Sequence, residues 1–367
     1  VGAACSGAYA SAWPLASLGV PGVVFTVLLA ARLAWGCCWS MIRYCGLWTC
    51  SDCISHGLGS AAARGRIVGL YDGFTRFGSV FGNVFGAVLY DTVHWPVGFA
   101  LMCAASGLLF PLGYFCRWGV PDLREVDGPL HQAVCCCVPG IGCKASAAKP
   151  QADSFPSALS TAWPAACRAY AGFVCGMVGN GLVIATLGKV LQTRVGDSDS
   201  ILVFGVTVGV ASLNGILLAG RWGAESVGGP VIGMLSDRLG RGKIHRAALV
   251  SGAVCLLVMA SYPTTWSIFG FCFTVLCLFV FATAVTIPAL TEATATERTA
   301  TYVTSWDLGS AVGPLVGYIF ITFDAYGVMY VMGSVLYSIA LVTSLFAFAD
   351  SPVDNPGILA DEEEEEE

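Results

Sequence analysis

Charged side chains are scarce in this sequence, although it is 367 residues long. Lys, Arg, Asp and Glu together make up 11% of the residues, 56% are hydrophobic, and the mean hydropathy is +0.73. Soluble globular domains carry about 25% charged residues. The composition therefore excludes a soluble globular chain and predicts an integral membrane protein, with the lipid bilayer as a partner and no nucleic-acid partner.

A strict alternation of apolar and polar residues is also missing. Since only helices and closed barrels satisfy the backbone in lipid, the sequence predicts an all-α, polytopic fold. Residues 1–20, rich in Gly, Ala and Ser, are interpreted as part of one helix. Crossing a hydrocarbon core of about 30 Å takes about 20 helical residues. About nine complete spans are predicted, at residues 22–47, 65–90, 95–116, 169–192, 203–235, 246–262, 265–290, 300–322 and 326–348.

The sequence has no ATP-binding signature of the form G-x-x-x-x-G-K-[ST], so there is no sign of direct ATP use. Of the four histidines, His56, His131 and His245 are expected in loops and His94 at the outer face. No set of His, Cys and Asp residues has catalytic spacing. We therefore expect neither an enzyme nor a bound cofactor or metal.

Cysteine is plentiful, but most of the 17 cysteines lie within predicted helices, where Cys behaves as a small hydrophobe. The exception is the cluster Cys135, Cys136 and Cys137, with Cys143 nearby. A loop without special function is the first interpretation of this cluster. S-palmitoylation and a metal site with His131 remain as alternatives.

One dense, mixed-charge turn interrupts the apolar runs. Its pattern G-x-x-x-D-R-x-G-R-x-K resembles the signature loop of the major facilitator superfamily of secondary transporters. The resemblance implies a bundle of two pseudo-symmetric helical halves and a gating role for the turn at the cytoplasmic side. The residues that carry the pattern are Gly233, Asp237, Arg238, Gly240, Arg241 and Lys243.

Two further motifs fit this family. Residues 32–36, Arg32-Leu-Ala-Trp-Gly36, resemble the R-x-x-x-G motif of superfamily helix 4, with Trp35 where glutamine is often found. Residues 309–317 are similar to the G-x-x-x-G-P-x-x-G motif of helix 5 in antiporters, although here they fall in the predicted helix 11. An internal repeat supports this numbering, because small residues that permit close helix packing recur with the same spacing in predicted helices 5 and 11. They are Gly78, Gly82 and Gly86 in the first, and Gly309, Gly313, Pro314 and Gly317 in the second.

Lysine and arginine support a topology with the signature turn in the cytoplasm. Twelve of the 18 fall in inside loops, and only Lys189 and Arg194 in outside loops. Since superfamily members have twelve helices, the resemblance implies an N-terminally truncated chain. The predicted organisation is a remnant of the N-terminal half with part of helix 3 and helices 4–6 (residues 1–116), a cytoplasmic linker (117–168), a six-helix C-terminal half (169–349) and an acidic cytoplasmic tail (350–367).

Six charged residues fall inside predicted spans, where each one costs at least about 2.5 kcal/mol at the bilayer centre. We interpret them as candidates for the substrate or proton pathway. A purely structural role is an equally weighted alternative for each of these residues. Asp72 with Arg76, and Arg221 with Glu225, are i,i+4 pairs whose opposite charges can neutralise each other on one helix. Arg43, in contrast, is expected to reach the cytoplasmic surface. The six are Arg32 on helix 4, Asp72 and Arg76 on helix 5, Arg221 and Glu225 on helix 8, and Asp307 on helix 11.

Arg76 and Glu225 are expected to meet. Arg76 follows Arg64 by twelve residues and Glu225 precedes Asp237 by twelve, which is about 18 Å from the same membrane surface in both cases. In the superfamily, helices 5 and 8 meet between the halves, which implies a charge pair at this depth. The same resemblance implies that Asp237 acts as a latch at the start of helix 5.

The resemblance implies transport of a small organic solute by alternating access, in which two halves rock about a central site. Transport is either secondary active, with or without proton coupling, or facilitative. Carboxylates in a partly dry cavity can carry protons, which makes Glu225 and Asp307 the candidates. A non-transporting receptor-like or scaffold protein, or an inactive fragment, is the alternative. We expect a monomer in the plasma membrane or an organelle membrane.

Overall fold

The computed structural model describes isolated positions between residues 23 and 47 and six longer stretches. Arg32, the cluster Cys135–Cys137 and the acidic tail therefore lie outside the described residues, as does the predicted span at 95–116. The six stretches are residues 64–92, 155–195, 200–203, 206–261, 268–295 and 298–348.

Helices dominate these stretches. The chain divides into two compact units, one made of residues 1–39 and 94–158, the other of residues 40–93 and 159–367. The second unit holds every contact discussed below. Its elements are α1 (Arg64–Thr92), α2 (Phe155–Cys175), a π-helical segment π1 (Gly176–Val183), α3 (Ile184–Val195), β1 (Ser200–Val203), β2 (Val206–Gly209), α4 (Val210–Leu239), α5 (Arg241–Ser261), α6 (Ile268–Ala295), α7 (Thr299–Thr322) and α8 (Tyr326–Ala347).

Helix boundaries agree well with the sequence where apolar runs end in polar loops. The predicted spans at 300–322 and 326–348 match α7 and α8 to within one residue. The span predicted at 169–192 begins too late, because α2 already starts at Phe155, inside the predicted linker. Residues 155–168 are small and moderately polar, so hydropathy alone missed this part of the helix.

A short β-hairpin was not predicted. Strands β1 and β2 pair antiparallel, with Ser200 opposite Gly209 and Val203 opposite Val206. The span predicted from residue 203 is therefore wrong at its start, and α4 begins only at Val210. The reason is that the apolar, β-branched run at 200–209 has the composition of a strand as much as that of a membrane helix.

Four described helical stretches are long and apolar enough to cross a membrane, judged by length and composition. Apolar side chains at seven-residue spacing, Val328, Val335 and Val342, form a stripe on α8 that is more than half exposed, as a lipid-facing surface requires. Helices α1, α4 and α7 do not meet the criterion. The four stretches are Ala162–Thr193, Arg241–Ser261, Ile268–Thr294 and Tyr326–Ala347.

Glycines bring α1 and α4 into direct backbone contact. A Cβ atom at Gly65 would lie 2.8 Å from the backbone oxygen of Gly233, and one at Gly73 would lie 2.6 Å from that of Ser226. Gly69 faces Gly229 in the same way. Since small residues at four-residue spacing let two helices approach closely, this crossing fixes the register of the charged side chains that lie next to it on both helices.

The predicted glycine face on α7 packs as expected, whereas its repeat on α1 does not. A Cβ atom at Gly313 would lie 2.6 Å from Cα of Gly181 in π1, and one at Gly317 would lie 2.6 Å from Cγ2 of Thr186 in α3. Gly78 and Gly82, in contrast, have no described atom within 4 Å of such a position. The two repeats therefore differ in their described neighbours.

Candidate functional site

Buried charges collect where α1, α4 and α7 approach one another. The side chains of Arg43, Asp72, Arg76, Arg221 and Glu225 are each at most 5% exposed. Asp307 on α7 is 27% exposed and so is the most accessible member of the group. Three cations and three anions give the cluster a formal charge of zero, which is a condition for keeping so many ionised groups away from water.

Arg76 and Glu225 form the central ion pair. Nε of Arg76 lies 2.8 Å from Oε2 of Glu225, so the predicted pairing between α1 and α4 is confirmed. The intrahelical pairs are present as well. Arg221 contacts the other carboxylate oxygen of Glu225, and Nη2 of Arg76 lies 3.9 Å from Oδ1 of Asp72. Pairing between the helices and pairing within each helix are therefore both present.

Arg43 belongs to the cluster, and its predicted position at the cytoplasmic surface is wrong. Its side chain is 2% exposed, with Nη1 3.7 Å from Oδ1 of Asp307 and Nη2 3.9 Å from Oδ1 of Asp72. The partner of opposite charge for Asp307 is thus Arg43, which lies far from α7 in the sequence. A lysine or arginine near a predicted helix end is ordinarily a surface residue, and Arg43 was predicted at the surface for this reason.

The cluster has a linear order. Cations and anions alternate along the series of ion-pair contacts. The series begins at the partly exposed residue and ends at the most deeply buried one. Every internal member therefore has a neighbour of opposite charge on each side. We call this series the charge chain. Its order is Asp307, Arg43, Asp72, Arg76, Glu225 and Arg221.

The buried end of the charge chain is held by π1. Nη2 and Nε of Arg221 donate to Oδ1 of Asn180 at 2.9 and 3.3 Å. Nη1 of Arg221 donates to the backbone oxygen of Phe279 at 3.2 Å and lies 3.3 Å from Oγ1 of Thr283. Asn180 was not among the predicted site residues, although an amide side chain among Gly, Met and Val in an apolar span is a signal for a polar site. Single π-helical turns are frequent at functional sites.

Aromatic rings flank the arginines. The ring centre of Trp306 lies 4.4 Å from Cζ of Arg43 and 5.7 Å from Cζ of Arg76. Trp222 lies 4.9 Å from Cζ of Arg76 and 5.5 Å from Cζ of Arg221. These distances suit cation–π interaction, which offsets part of the cost of burying a guanidinium group. In the sequence, Trp222 directly follows Arg221 and Trp306 directly precedes Asp307.

The signature turn is more compact than a loop. Helix α4 runs through Asp237 and Arg238 to Leu239, and α5 starts at Arg241, so the break is confined to Gly240. Gly240 has a φ of 95°, a conformation that glycine adopts without steric cost. The mixed charges of the motif therefore lie on two helix ends that meet at a single residue.

Asp237 contacts the first turn of α1, as expected of the latch. Oδ1 accepts a hydrogen bond from the backbone N–H of Gly65 at 3.2 Å, and Oδ2 accepts one from that of Arg66 at 3.2 Å. The partners on α1 are thus free backbone N–H groups of a helix N-terminus, where a carboxylate is stabilised. On the same side, Nη2 of Arg241 lies 3.5 Å from Oδ1 of Asp237.

Two other buried polar residues near the turn were missed or misplaced. Glu292 on α6 lies 2.8 Å from Nη1 of Arg241, and the sequence analysis had not included it. His245 was predicted in a loop, but it lies in α5 with Nδ1 2.8 Å from the backbone oxygen of Val285 and its ring against Phe348. Both errors arise because α5 and α6 extend further at this end than their apolar cores do.

The comparisons with known proteins agree with these features. Residues 204–366 match the family model described as Major Facilitator Superfamily. This part of the chain is therefore similar to the major facilitator superfamily. No curated protein matches the chain in sequence.

This match, together with the four apolar helices, shows an integral, multi-pass membrane protein. The matched range contains the signature turn and α4 to α8. Arg221, Glu225 and Asp307 lie within it, whereas Arg43, Asp72 and Arg76 precede it. The charge chain therefore joins residues inside and outside the range that resembles the superfamily.

Proposed function

We propose that this protein moves a small organic solute across the membrane by alternating access, with the charge chain as its central site. The observation that supports this is the contact of Arg76 on α1 with Glu225 on α4. These helices come from the two predicted halves, so the pair spans the boundary across which an alternating-access transporter must open.

The energetics of the pair supply a mechanism. Separating Arg76 from Glu225 removes the contact between the helices and leaves the intrahelical ion pairs, and breaking a buried pair typically costs ~3–5 kcal/mol. A solute shifts a conformational equilibrium only by its differential affinity for the two states. We therefore propose that the bound solute supplies polar groups that compensate the separated charges in the open state.

The latch at Asp237 lies on the same helix pair. It accepts hydrogen bonds from the start of α1, and the Arg76–Glu225 pair lies twelve residues, or about 18 Å, further along α4. Parting α1 from α4 at the predicted cytoplasmic end breaks the Asp237 contacts first. We propose that the two contacts open in succession, with the latch controlling access to the charge chain.

Asp307 is the proposed coupling residue. It is the most exposed member of the charge chain, so a proton can reach it more readily than the buried acids. Protonating Asp307 removes one of the two anions next to Arg43 and changes the net charge of the charge chain from zero to +1. Secondary active transport with proton coupling follows if this protonation belongs to the cycle, and facilitation follows if it does not.

Transport by the purified full chain in proteoliposomes tests the proposal. Solid-supported-membrane currents and solute counterflow are measured over a panel of organic solutes, with Glu225→Gln as the test variant. The exposed Lys189, which contacts Gln192, offers a matched control as Lys189→Gln. We expect saturable flux that Glu225→Gln reduces and Lys189→Gln retains. Folded protein without saturable flux for any solute would favour the non-transporting alternative.

A further inference from the structure

Arg43 is buried without hydrogen bonds from its guanidinium group. Nε, Nη1 and Nη2 each have no hydrogen-bond partner among the described residues, although the side chain is only 2% exposed. Buried polar groups are hydrogen-bonded in the large majority of cases. A guanidinium group also presents five N–H donors in a fixed plane. Arg43 therefore has unused donor capacity inside the charge chain.

The described neighbours of Arg43 attract its guanidinium group without accepting hydrogen bonds from it. Trp306 lies 4.4 Å from Cζ of Arg43, so the ring interacts with the guanidinium group. Asp72 and Asp307 lie 3.9 and 3.7 Å from Nη2 and Nη1, close enough for charge attraction and too far for hydrogen bonds. The arrangement attracts the two carboxylates without satisfying the five donors.

The remaining members of the charge chain are occupied more fully. Glu225 contacts Arg76 and Arg221 with its two carboxylate oxygens. Arg221 donates in addition to Asn180 and to the backbone oxygen of Phe279. Within the charge chain, Arg43 therefore has the largest number of guanidinium nitrogens without a hydrogen bond, and the charges next to it are two carboxylates.

We propose that the transported solute is zwitterionic and that Arg43 binds its carboxylate while Asp72 and Asp307 face its ammonium group. This inference rests on the proposed transport function and names the substrate class of the same site. A carboxylate matches the planar fork of an arginine and can accept two hydrogen bonds from it.

Charge alone disfavours the two simpler ligands. A monoanion at Arg43 would lie beside the carboxylates of Asp72 and Asp307 and would give the neutral cluster a net negative charge. A simple cation facing these carboxylates would lie near Arg43 and Arg76 and leave the donors of Arg43 unused. A zwitterion supplies an acceptor for the guanidinium group and a donor for the carboxylates, and it leaves the net charge of the cluster at zero.

A matched panel of probes tests the proposal with the wild-type full chain in proteoliposomes. Phenylalanine, 3-phenylpropanoate and phenethylamine share one aromatic side chain and differ in carrying both charges, only the anion or only the cation. Alanine, glucose and a dipeptide complete the panel. We expect saturable counterflow of a zwitterion, with the matched single-charge analogues at least about tenfold weaker in kcat/KM.

The outcomes separate this inference from the proposed function. Flux of 3-phenylpropanoate or phenethylamine that equals or exceeds that of phenylalanine overturns the zwitterion assignment and leaves transport intact. Flux of an uncharged solute alone does the same. Folded protein without saturable flux of any solute in this panel or in a broader library overturns the transport function itself.

Substitution of Arg43 provides a second test. It measures the preference among the charged analogues, which would not change if Arg43 had only a structural role. In Arg43→Gln the two carboxylates remain, so the preference for phenylalanine over phenethylamine should fall at least about tenfold. Arg43→Lys keeps the charge but loses the fork, and it should raise KM more than it lowers kcat. Lys189→Gln is the control. An unchanged preference in Arg43→Gln overturns the assignment, and if that variant does not fold, the wild-type panel decides.

Discussion

Arg76 and Glu225 lie 2.8 Å apart and join two helices that are far apart in the sequence. Each also has a partner of opposite charge on its own helix, four residues earlier in both cases: Asp72 for Arg76 and Arg221 for Glu225. The contact between the helices is therefore one link of a longer series of opposite charges. This arrangement lets α1 and α4 separate without leaving either charge wholly without a neighbour.

Removing Arg76 should destabilise the protein. In Arg76→Ala the carboxylate of Glu225 keeps only Arg221, and the loss of one partner of a buried pair typically costs ~3–5 kcal/mol. We expect lower thermal stability and lower transport activity, measured by a detergent-based melting assay and by counterflow.

The charge-reversed double variant Arg76→Glu with Glu225→Arg is the matched test of the pair. It restores the contact between the helices, but it places a second carboxylate beside Asp72 and a second guanidinium group beside Arg221. Recovery should therefore be partial. A double variant no better than the worse single variant would contradict the pairing as a source of stability.

Asp237→Asn should slow the conformational cycle more than it weakens solute binding. Asparagine keeps one acceptor for the N–H groups of Gly65 and Arg66, but it loses the negative charge that a helix N-terminus favours, typically worth ~0.3–1 kcal/mol. We expect a decrease in kcat with a smaller change in KM in proteoliposome uptake. Equal kinetics for Asp237→Asn and the wild type would exclude the latch.

Asp307→Asn should abolish the pH dependence of transport if Asp307 carries the coupling proton. The amide cannot take up a proton over the physiological range, and Arg43 then keeps only Asp72 as a described anionic neighbour. Uptake is measured between pH 5.5 and 8 with and without an imposed proton gradient, at solute concentrations below KM. A pH profile that Asp307→Asn leaves unaltered rules out this role.

Gly69→Ala should destabilise the crossing of α1 and α4, because a Cβ atom there would collide with the backbone of Gly229. Overpacking of this kind typically costs ~1–3 kcal/mol. Gly78→Ala on the same helix is the control, since no described atom lies within 4 Å of its Cβ position. The alanine there should be neutral or gain up to about 1 kcal/mol of helix propensity. Equal melting temperatures for the two variants would contradict the close approach of the helices.

Much of this protein followed from the sequence alone. Low charge and long apolar runs determined a polytopic helical protein, because lipid leaves the backbone no other partners than its own. The signature turn predicted the similarity to the superfamily, and equal helical distances from Arg64 and Asp237 predicted the contact of Arg76 with Glu225. These inferences rest on the lengths of apolar runs and on residue spacing along single helices, which can be read directly from the sequence.

The tertiary structure decided the rest, namely which residues from different helices share one site. Nothing near Arg43 in the sequence distinguishes it from a surface arginine, and Asn180 accepts hydrogen bonds from Arg221 from within π1, a segment that the sequence did not predict. The hairpin at β1 and β2 likewise depends on pairing between segments that hydropathy reads as a helix. The physical reason is that ion pairs, hydrogen bonds and strand pairing depend on distances between segments, and these distances are set by how the glycine-lined helices pack.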